Sequence, residues 1–335
     1  MKPLRVALAM SNGVAERIFP SSRLAGLGPE LVLVSPTPLS SFEGPAAAAV
    51  LAQTDILITG WGCPALTEDV LDKAPHLKFA LHSAGSVKEH ITEAVWRRGI
   101  QVSTAAEANA IPVAEYTLAM ILLANKKVLQ LQAALKAGRG AVDPDTLFPG
   151  LGNYGQTIGL VGASKVGRAL IGMLKPFEFT VLVADPYLSR EEAAELGVAV
   201  VELDELLAAS DVVSLHAPNL PETHHLIDER RLELIRPGAT FINTSRGALV
   251  DQDALVRRIQ RGDLFAILDV TTPERLEPGH PLYDHPQVFL TPHLAGSLGV
   301  ELERLGSTAL NEARRAARGE PLRFALDPAA MARTA

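Results

Sequence analysis

The sequence predicts an α/β protein built on parallel sheets and organised as two lobes. Short runs of β-forming residues alternate with helical patterns along most of the chain, which is typical of strand–helix–strand units on a parallel sheet. The length of 335 residues also exceeds what one hydrophobic core usually organises. Because the alternation falls into two series, we expect two similarly built lobes.

The first series occupies the N-terminal part of the chain. Its predicted strands cover residues 4–9, 31–34, 55–59 and 77–81, with helical patterns between several of them. A long apolar helix is predicted over residues 114–131, and the segment 136–154, rich in Gly, Pro and Asp, is predicted to be a connection.

The second series begins at Thr157. Its predicted strands cover residues 157–161, 180–184, 198–201, 212–215, 240–243, 265–270 and 288–291. A helical pattern over residues 298–317 follows the last strand, and the tail from Arg318 is predicted to be irregular.

Composition and charge narrow the class of protein. Hydrophobic residues make up 47% of the chain and charged residues 21%, as in compact globular proteins. The formal net charge of -7 gives no overall basic field, so neither nucleic acid nor a membrane is expected as a partner. Cys63 is the only cysteine, which excludes an intramolecular disulfide and suits a reducing compartment.

The apolar run near Met1 is about five residues long, too short for the core of a signal peptide. Later apolar stretches such as residues 118–124 are far shorter than a bilayer span. We therefore expect a cytoplasmic protein. The nine histidines show no zinc-binding spacing, so no metal site is expected.

The first chemical signal is a dinucleotide-binding turn at the start of the second series. Gly162, Ser164 and Gly167 occupy its three positions between a predicted strand and a predicted helix, with serine where the pattern has its middle glycine. Asp185 ends the next predicted strand, eighteen residues beyond Gly167. A carboxylate there accepts hydrogen bonds from ribose hydroxyls and repels a 2'-phosphate, which favours NAD over NADP. Arg190 keeps NADP as the less favoured alternative.

Three further side chains each follow a predicted strand of the same series: Arg246, Glu274 and His293. Reduction of a 2-oxo acid requires a hydride, a proton donor for the carbonyl oxygen and an anchor for the carboxylate. His293 is suited to donate and accept the proton, Glu274 to orient the imidazole, and Arg246 to bind the carboxylate and polarise the carbonyl. The trio predicts an oxidoreductase acting on a small 2-oxo or 2-hydroxy acid.

The chain resembles the D-isomer-specific 2-hydroxyacid dehydrogenase family, which includes phosphoglycerate dehydrogenases and glyoxylate or hydroxypyruvate reductases. The resemblance is strongest over residues 111–297. It rests on the motif of residues 113–117, the glycine turn, the motif of residues 215–218 followed by Glu222 and Thr223, and the segments 243–247, 269–274 and 291–297.

The resemblance assigns roles to individual residues. It implies that Arg246, Glu274 and His293 are the catalytic residues. The positions that it implies for cofactor contact are Gly162, Ser164, Lys165, Val166, Gly167, Asp185, Ala217, Pro218, Thr244, Ser245, Arg246, Asp269, His293 and Gly296.

The resemblance also implies an architecture. A doubly wound NAD-binding Rossmann domain of residues 107–297 would be inserted into a discontinuous, flavodoxin-like substrate domain of residues 1–106 and 298–335. A cleft between them would hold the substrate and close by a hinge motion. A homodimer is expected because long helices at the start of the cofactor domain pair in this family.

The family's substrate loop corresponds to residues 81–88. Backbone N–H groups of Ala84, Gly85 and Ser86, together with Arg246, would receive the substrate carboxylate. Ser86 and Lys88 depart from the glycine and acid of many relatives, so the identity of the substrate stays open. His82 and Lys88 are interpreted either as contacts to a polar substituent or as solvated loop residues.

Two alternatives on the same fold remain open. One is an NAD-sensing binding protein similar to the corepressors related to C-terminal-binding proteins. The other is a relative that oxidises phosphite; formate is disfavoured because formate dehydrogenases carry Gln at the position of Glu274.

Overall fold

A computed structural model describes residues 2–332 of the chain. The chain divides into two compact units, one of Met1–Asn109 with Ser297–Ala335 and one of Ala110–Gly296. The sequence places the domain boundaries at residues 106 and 298. Met1 and residues 333–335 of the predicted substrate domain lie outside the described residues.

The strands, in chain order, are β1 (Leu4–Ala9), β2 (Leu31–Leu33), β3 (Ile56–Thr59), β4 (Phe79–His82), β5 (Gln101–Thr104), β6 (Thr157–Val161), β7 (Thr180–Ala184), β8 (Ala199–Val200), β9 (Val212–Leu215), β10 (Thr240–Asn243), β11 (Phe265–Leu268), β12 (Val288–Leu290) and β13 (Ala325–Leu326).

The helices are α1 (Asn12–Ile18), α2 (Ser21–Leu24), α3 (Gly44–Leu51), α4 (Glu68–Asp72), α5 (Glu93–Arg97), α6 (Ala106–Asn125), α7 (Val128–Gly138), α8 (Pro144–Leu147), α9 (Lys165–Leu174), α10 (Arg190–Leu196), α11 (Leu203–Ala209), α12 (Glu229–Leu234), α13 (Gln252–Ile259), α14 (Leu302–Ala317) and α15 (Pro328–Ala332). Short 3₁₀ turns lie at Pro221–Thr223, Gly247–Leu249, Pro281–Tyr283 and Gly299–Glu301.

The first unit contains a sheet in the order β2-β1-β3-β4-β5, with β13 added on β5. The first five strands are parallel and have the order of flavodoxin-like folds, whereas β13 pairs antiparallel. Both faces are covered: Val6 and Leu8 of β1 lie in one core with α14, and Ala7 and Ala9 lie in a second core on the opposite face.

The second unit contains a parallel sheet in the order β8-β7-β6-β9-β10-β11-β12. Its first six strands in chain order have the Rossmann arrangement, in which the strand order reverses between β6 and β9. Leu215 packs in the core on one face and Val212 in the core on the other. The predicted class of α/β protein with two parallel sheets, one of them doubly wound, is confirmed.

The helix predicted over residues 114–131 is wrong as a single element. α6 ends at Asn125 and α7 begins at Val128, because Lys127 adopts a left-handed backbone (φ 50°). Among the described residues, no single helix is long and apolar enough to cross a bilayer; α6 and α7 reach that length and composition only as a pair bent by 53°. Ala114, Ile121 and Ala124 of α6 pack in a core of the second unit.

Candidate active site

The glycine turn between β6 and α9 is shaped by close backbone contacts. Gly162 has a φ of 103°, and a Cβ atom there would lie 2.7 Å from the backbone nitrogen of Ala217. A Cβ atom at Gly167 would overlap the carbonyl oxygen of Gly162, so helix and strand approach closely. Both positions therefore require glycine.

Ser164 is accommodated at the middle position of the turn because its backbone is extended (φ -65°). Its Oγ accepts a hydrogen bond from the backbone N–H of Gly167 at 3.4 Å and caps the N-terminus of α9. A serine here stabilises the start of the helix that follows the turn.

Asp185 connects the end of β7 to this turn. Its Oδ2 accepts from the backbone N–H of Ala163 at 2.7 Å, and its Oδ1 accepts from that of Tyr187 at 2.8 Å. Arg168 donates through Nε to the carbonyl oxygen of Ala163 at 2.9 Å and pairs with Glu192 at 2.7 Å. The carboxylate of Asp185 therefore has a fixed orientation beside the turn.

Arg246 lies on a loop after β10 that Asn243 organises. The Asn243 side chain donates to the carbonyl oxygen of Arg246 at 2.9 Å and accepts from the backbone N–H of Ser245 at 3.0 Å. The Arg246 guanidinium donates to the carbonyl oxygen of Ser245 at 2.7 Å. Its position is thus set by a buried strand end.

The loop that carries Glu274 packs against the Arg246 loop. A Cβ atom at Gly247 would overlap the backbone of Thr271, so glycine is required where the two loops meet. The Gln252 side chain of α13 makes two hydrogen bonds to the backbone of Thr272: it donates to the carbonyl oxygen at 2.8 Å and accepts from the N–H at 2.9 Å. The hydroxyl of Thr271 donates to the carbonyl oxygen of Pro273 at 2.8 Å.

His293 and Glu274 are in direct contact. His293 Nδ1 lies 2.5 Å from Glu274 Oε1, and both side chains are about half exposed, at 48% and 55%. Since an ionised carboxylate only accepts, Nδ1 carries the proton of this hydrogen bond. Within the described part of the chain Nε2 makes no hydrogen bond. His293 also has a left-handed backbone, with a φ of 53°.

Asp269 holds the backbone of the His293 loop. It is buried, with 2% exposure, and its carboxylate accepts from the N–H groups of Leu294 and Ala295, each at 2.9 Å. Its own carbonyl oxygen accepts from the N–H of His293 at 3.0 Å. The structure thus gives this residue a structural role, while the predicted contact with the cofactor stays a prediction.

All predicted cofactor positions follow carboxyl ends of strands in the sheet of the second unit. Residues 162–167 follow β6, Asp185 follows β7, Ala217 and Pro218 follow β9, residues 244–246 follow β10, Asp269 follows β11, and His293 and Gly296 follow β12. Because these strands are parallel, their carboxyl ends lie at one edge of the sheet. The edge includes the point of strand-order reversal, where open α/β sheets bind ligands.

The predicted substrate loop lies in the first unit, after β4. The N–H groups of Ala84, Gly85 and Ser86 have no acceptor among residues 2–332. Two buried histidines lie in and just after this loop, His82 and His90, and both contact the hydroxyl of Thr59: His82 Nδ1 and His90 Nε2 lie 2.9 and 3.2 Å from its Oγ1.

Burial lowers the pKa of His82 to about 3, with a contribution from His90, and burial lowers the pKa of His90 to about 4. Both rings are therefore neutral near pH 7. The interpretation of His82 as a solvated loop residue is wrong, because only 3% of it is exposed.

Sequence reasoning assigns no role to Asn243, Gln252 or Thr271, which orient the loops that carry Arg246 and Glu274. Asn243 offers the clearest signal in the sequence, since it places an amide side chain at the end of an otherwise largely apolar strand. Gln252 gives no such signal because its contact with Thr272 joins positions 20 residues apart.

Comparison with known proteins places this site in a family. Residues 118–295, more than half of the chain, match the family model described as D-isomer specific 2-hydroxyacid dehydrogenase, NAD binding domain. The chain therefore belongs to the D-isomer-specific 2-hydroxyacid dehydrogenase family, and its second unit contains the NAD-binding domain of that family.

Two relatives and one solved structure illustrate the match. A D-3-phosphoglycerate dehydrogenase from Mycobacterium bovis is 32% identical over 311 residues, which are 92% of this chain and 57% of that protein. A glyoxylate reductase from Thermofilum pendens is 34% identical over 258 residues, 75% of each chain. The chain thus spans about half the length of the phosphoglycerate dehydrogenases that it matches.

The solved structure is an NAD-complexed D-isomer specific 2-hydroxyacid dehydrogenase from Lactobacillus delbrueckii ssp. bulgaricus. It has a TM-score of 0.80 at 20% identity, and the match covers 96% of this chain and 100% of that chain. This likeness shows that the two proteins share a fold.

Proposed function

We propose that the protein is an NAD-dependent oxidoreductase that interconverts a small 2-oxo acid and its D-2-hydroxy acid. The observation that supports this most strongly is the His293–Glu274 pair at 2.5 Å, located at the sheet edge that also carries the dinucleotide turn. The pair provides an oriented acid/base group, and the adjoining Arg246 loop provides a cation.

The residues of the turn fit NAD. Gly162 and Gly167 permit the tight turn and the close helix–strand packing of a dinucleotide-binding turn, which would place a pyrophosphate at the N-terminus of α9. Asp185 presents an oriented carboxylate that would accept from ribose hydroxyls. Bound NADH supplies the hydride for reduction of the carbonyl carbon.

His293 would move the proton. Because Glu274 holds Nδ1, the exchangeable proton is on Nε2 of the protonated ring, which donates it to the carbonyl oxygen during reduction. In the oxidation direction the neutral Nε2 accepts the hydroxyl proton. Glu274 fixes the ring orientation in both directions.

Arg246 would bind the substrate carboxylate and stabilise negative charge on the carbonyl oxygen. One of its N–H groups donates to the Ser245 carbonyl, which holds the guanidinium, while its other N–H groups have no acceptor among the described residues and could bind an anion. The N–H groups of Ala84, Gly85 and Ser86, which have no acceptor among residues 2–332, are proposed as further carboxylate donors.

The test is NADH oxidation with glyoxylate, hydroxypyruvate, pyruvate, phosphohydroxypyruvate and bulkier 2-oxo acids. We expect turnover with at least one, and we expect His293→Ala to lower kcat by about 10²- to 10⁴-fold because it removes the proton donor. Binding of NADH, measured by fluorescence, should persist. His76→Ala changes an exposed histidine of the first unit and serves as the control.

Two outcomes would contradict the proposal. NADH binding without turnover of any 2-oxo acid would favour a nucleotide-sensing binding protein. Unchanged turnover in His293→Ala would remove the proposed acid/base.

We also propose that the chain forms a homodimer through α7. This helix has the sequence VLQLQAALKAG, and none of its residues, all of which are described, is buried; Val128 is 39% and Leu135 53% exposed. An exposed apolar helix favours association.

Sedimentation should show a dimer that Leu135→Lys converts to a monomer. Val300→Lys, at an exposed site of the first unit, is the control and should leave the dimer intact.

A further inference from the structure

Two consecutive hydroxyl groups of α6 contact the loops that carry His293 and Arg246. The Tyr116 hydroxyl lies 2.9 Å from Thr291 Oγ1, two residues before His293. The Thr117 hydroxyl lies 3.3 Å from Thr244 Oγ1, two residues before Arg246. α6 therefore contacts both loops. Beyond Tyr116, a second hydrogen bond leads from Thr291 to Asp269.

The direction of the hydrogen bonds follows from the groups present. Thr291 Oγ1 lies 2.6 Å from Asp269 Oδ1, and because a carboxylate only accepts, the threonine donates its single proton to it. Thr291 must then accept from the phenol of Tyr116. Burial and the charge of Asp269 raise the pKa of Tyr116, so the phenol keeps the proton that it donates.

The chain of bonds ends at the backbone of the His293 loop. The Asp269 carboxylate accepts from Leu294 and Ala295, the two residues after His293, each at 2.9 Å. These bonds restrain the loop in which His293 has its left-handed conformation, one that non-glycine residues adopt uncommonly. Rotation of Asp269 would therefore move the imidazole.

We propose that Tyr116 is a positioning residue for His293 and acts through Thr291 and Asp269. The phenol fixes the orientation of the Thr291 hydroxyl, which fixes the rotamer of Asp269 and hence the loop that presents Nε2. The effect on catalysis rests on the proposed function, whereas the effect on the resting position of His293 does not.

The kinetic test is a double-mutant cycle. Tyr116→Phe removes one neutral hydrogen bond, and we expect kcat to fall by about 2- to 10-fold with little change in the KM for NADH. Thr291→Val removes one of the three donors that the buried Asp269 has within residues 2–332 and should lower kcat by about 5- to 100-fold, while Thr291→Ser, which keeps the hydroxyl, should restore most of the activity. Tyr154→Phe, at a tyrosine that is 79% exposed, is the matched control.

The cycle decides whether Tyr116 acts through Thr291. If it does, the double variant Tyr116→Phe with Thr291→Val loses no more than Thr291→Val alone, within about twofold. Losses that multiply would show that Tyr116 acts independently and would overturn the proposal.

A second readout does not depend on turnover. The ring Cε1–H signal of His293, in protein with ¹³C-labelled histidine and assigned with His293→Asn, should shift in Tyr116→Phe and stay unchanged in Tyr154→Phe. An unchanged signal in Tyr116→Phe would overturn the proposal. If the wild type turned over no 2-oxo acid but the signal shifted, the proposed function would fail while the positioning role would stand.

Discussion

At the scale of single residues, His293 combines a half-exposed imidazole with a restrained backbone. A non-glycine residue in the left-handed region costs on the order of 1–3 kcal/mol when its surroundings impose it. The cost is offset by the hydrogen bonds that Asp269 accepts from the backbone N–H groups of His293, Leu294 and Ala295. Glu274 then restrains the ring itself, so backbone and side chain are fixed by two different acids.

Asp185 is the residue that should set the choice of cofactor. Its carboxylate faces the turn through Ala163, so removing it in Asp185→Ala would remove the repulsion of a 2'-phosphate. We expect the ratio of kcat/KM for NADH to that for NADPH to fall by about tenfold or more, a change of roughly 1.4 kcal/mol.

Glu195→Ala is the control for Asp185→Ala, because Glu195 is an exposed acid of the neighbouring helix α10. An unaltered ratio in Asp185→Ala would show that the carboxylate does not select the cofactor. Loss of activity with both cofactors in equal proportion would assign Asp185 to the structure of the turn.

The placement of Arg246, Glu274 and His293 could be predicted from the sequence because each lies on a loop after an apolar strand, and parallel strands bring such loops to one edge; their catalytic roles stay a prediction. The residues that orient these loops could not be predicted from the sequence. Gln252 hydrogen-bonds the backbone of Thr272, and Tyr116 contacts a residue 175 positions away. Their roles depend on these tertiary contacts, which no local sequence pattern indicates.

At the scale of elements, Gly247 is the point where two loops of the site pack together. A methyl group there would overlap the Thr271 backbone. We expect Gly247→Ala to destabilise the protein by about 1–3 kcal/mol, the usual effect of overpacking, and to lower kcat/KM by displacing Arg246. Thermal unfolding and steady-state kinetics measure the two effects.

Gly172→Ala provides the opposite case for comparison. Gly172 lies inside α9 and is exposed, and apart from the backbone of its own helix a methyl group added there would meet no described atom within 4 Å, so alanine should stabilise the helix by roughly 0.5–1 kcal/mol. If Gly247→Ala were as stable and active as the wild type, the packing of the two loops would not constrain the site.

Most strands of both sheets could be predicted because they are buried apolar runs. β5 was not predicted, since its sequence QVST is short and partly polar, and β13 was missed because its two residues form a strand only by pairing with β5. The tail predicted to be irregular also contains α15. The break between α6 and α7 carries no Gly or Pro; Lys127 instead donates to the carbonyl oxygen of Gly238, a tertiary contact.

At the scale of the whole molecule, three histidines lie in the protein interior without a charge partner. His216 of the second unit is buried, and burial lowers its pKa to about 3. His82 and His90 of the first unit have pKa values lowered to about 3 and about 4. The folded protein keeps these rings neutral over a pH range in which the unfolded chain protonates them.

This difference makes stability depend on pH. Between the unfolded pKa of about 6.5 and the lower folded values, the unfolded chain binds more protons, so stability is full above about pH 6.5 and falls as the pH decreases. Lowering the pH from 7 to 5 should reduce the free energy of unfolding by roughly 2 kcal/mol for each buried histidine ring. The loss should be visible in the urea midpoint.

The first unit can be followed separately because both tryptophans, Trp61 and Trp96, belong to it. His90→Gln should reduce the loss of stability between pH 7 and pH 5 by roughly 2 kcal/mol, whatever it does to stability at pH 7, since it removes one ring that the unfolded chain would protonate. His76→Gln changes an exposed histidine and should leave the pH dependence as in the wild type. Equal pH dependence in His90→Gln and the wild type would mean that His90 titrates in the folded protein much as it does in the unfolded chain.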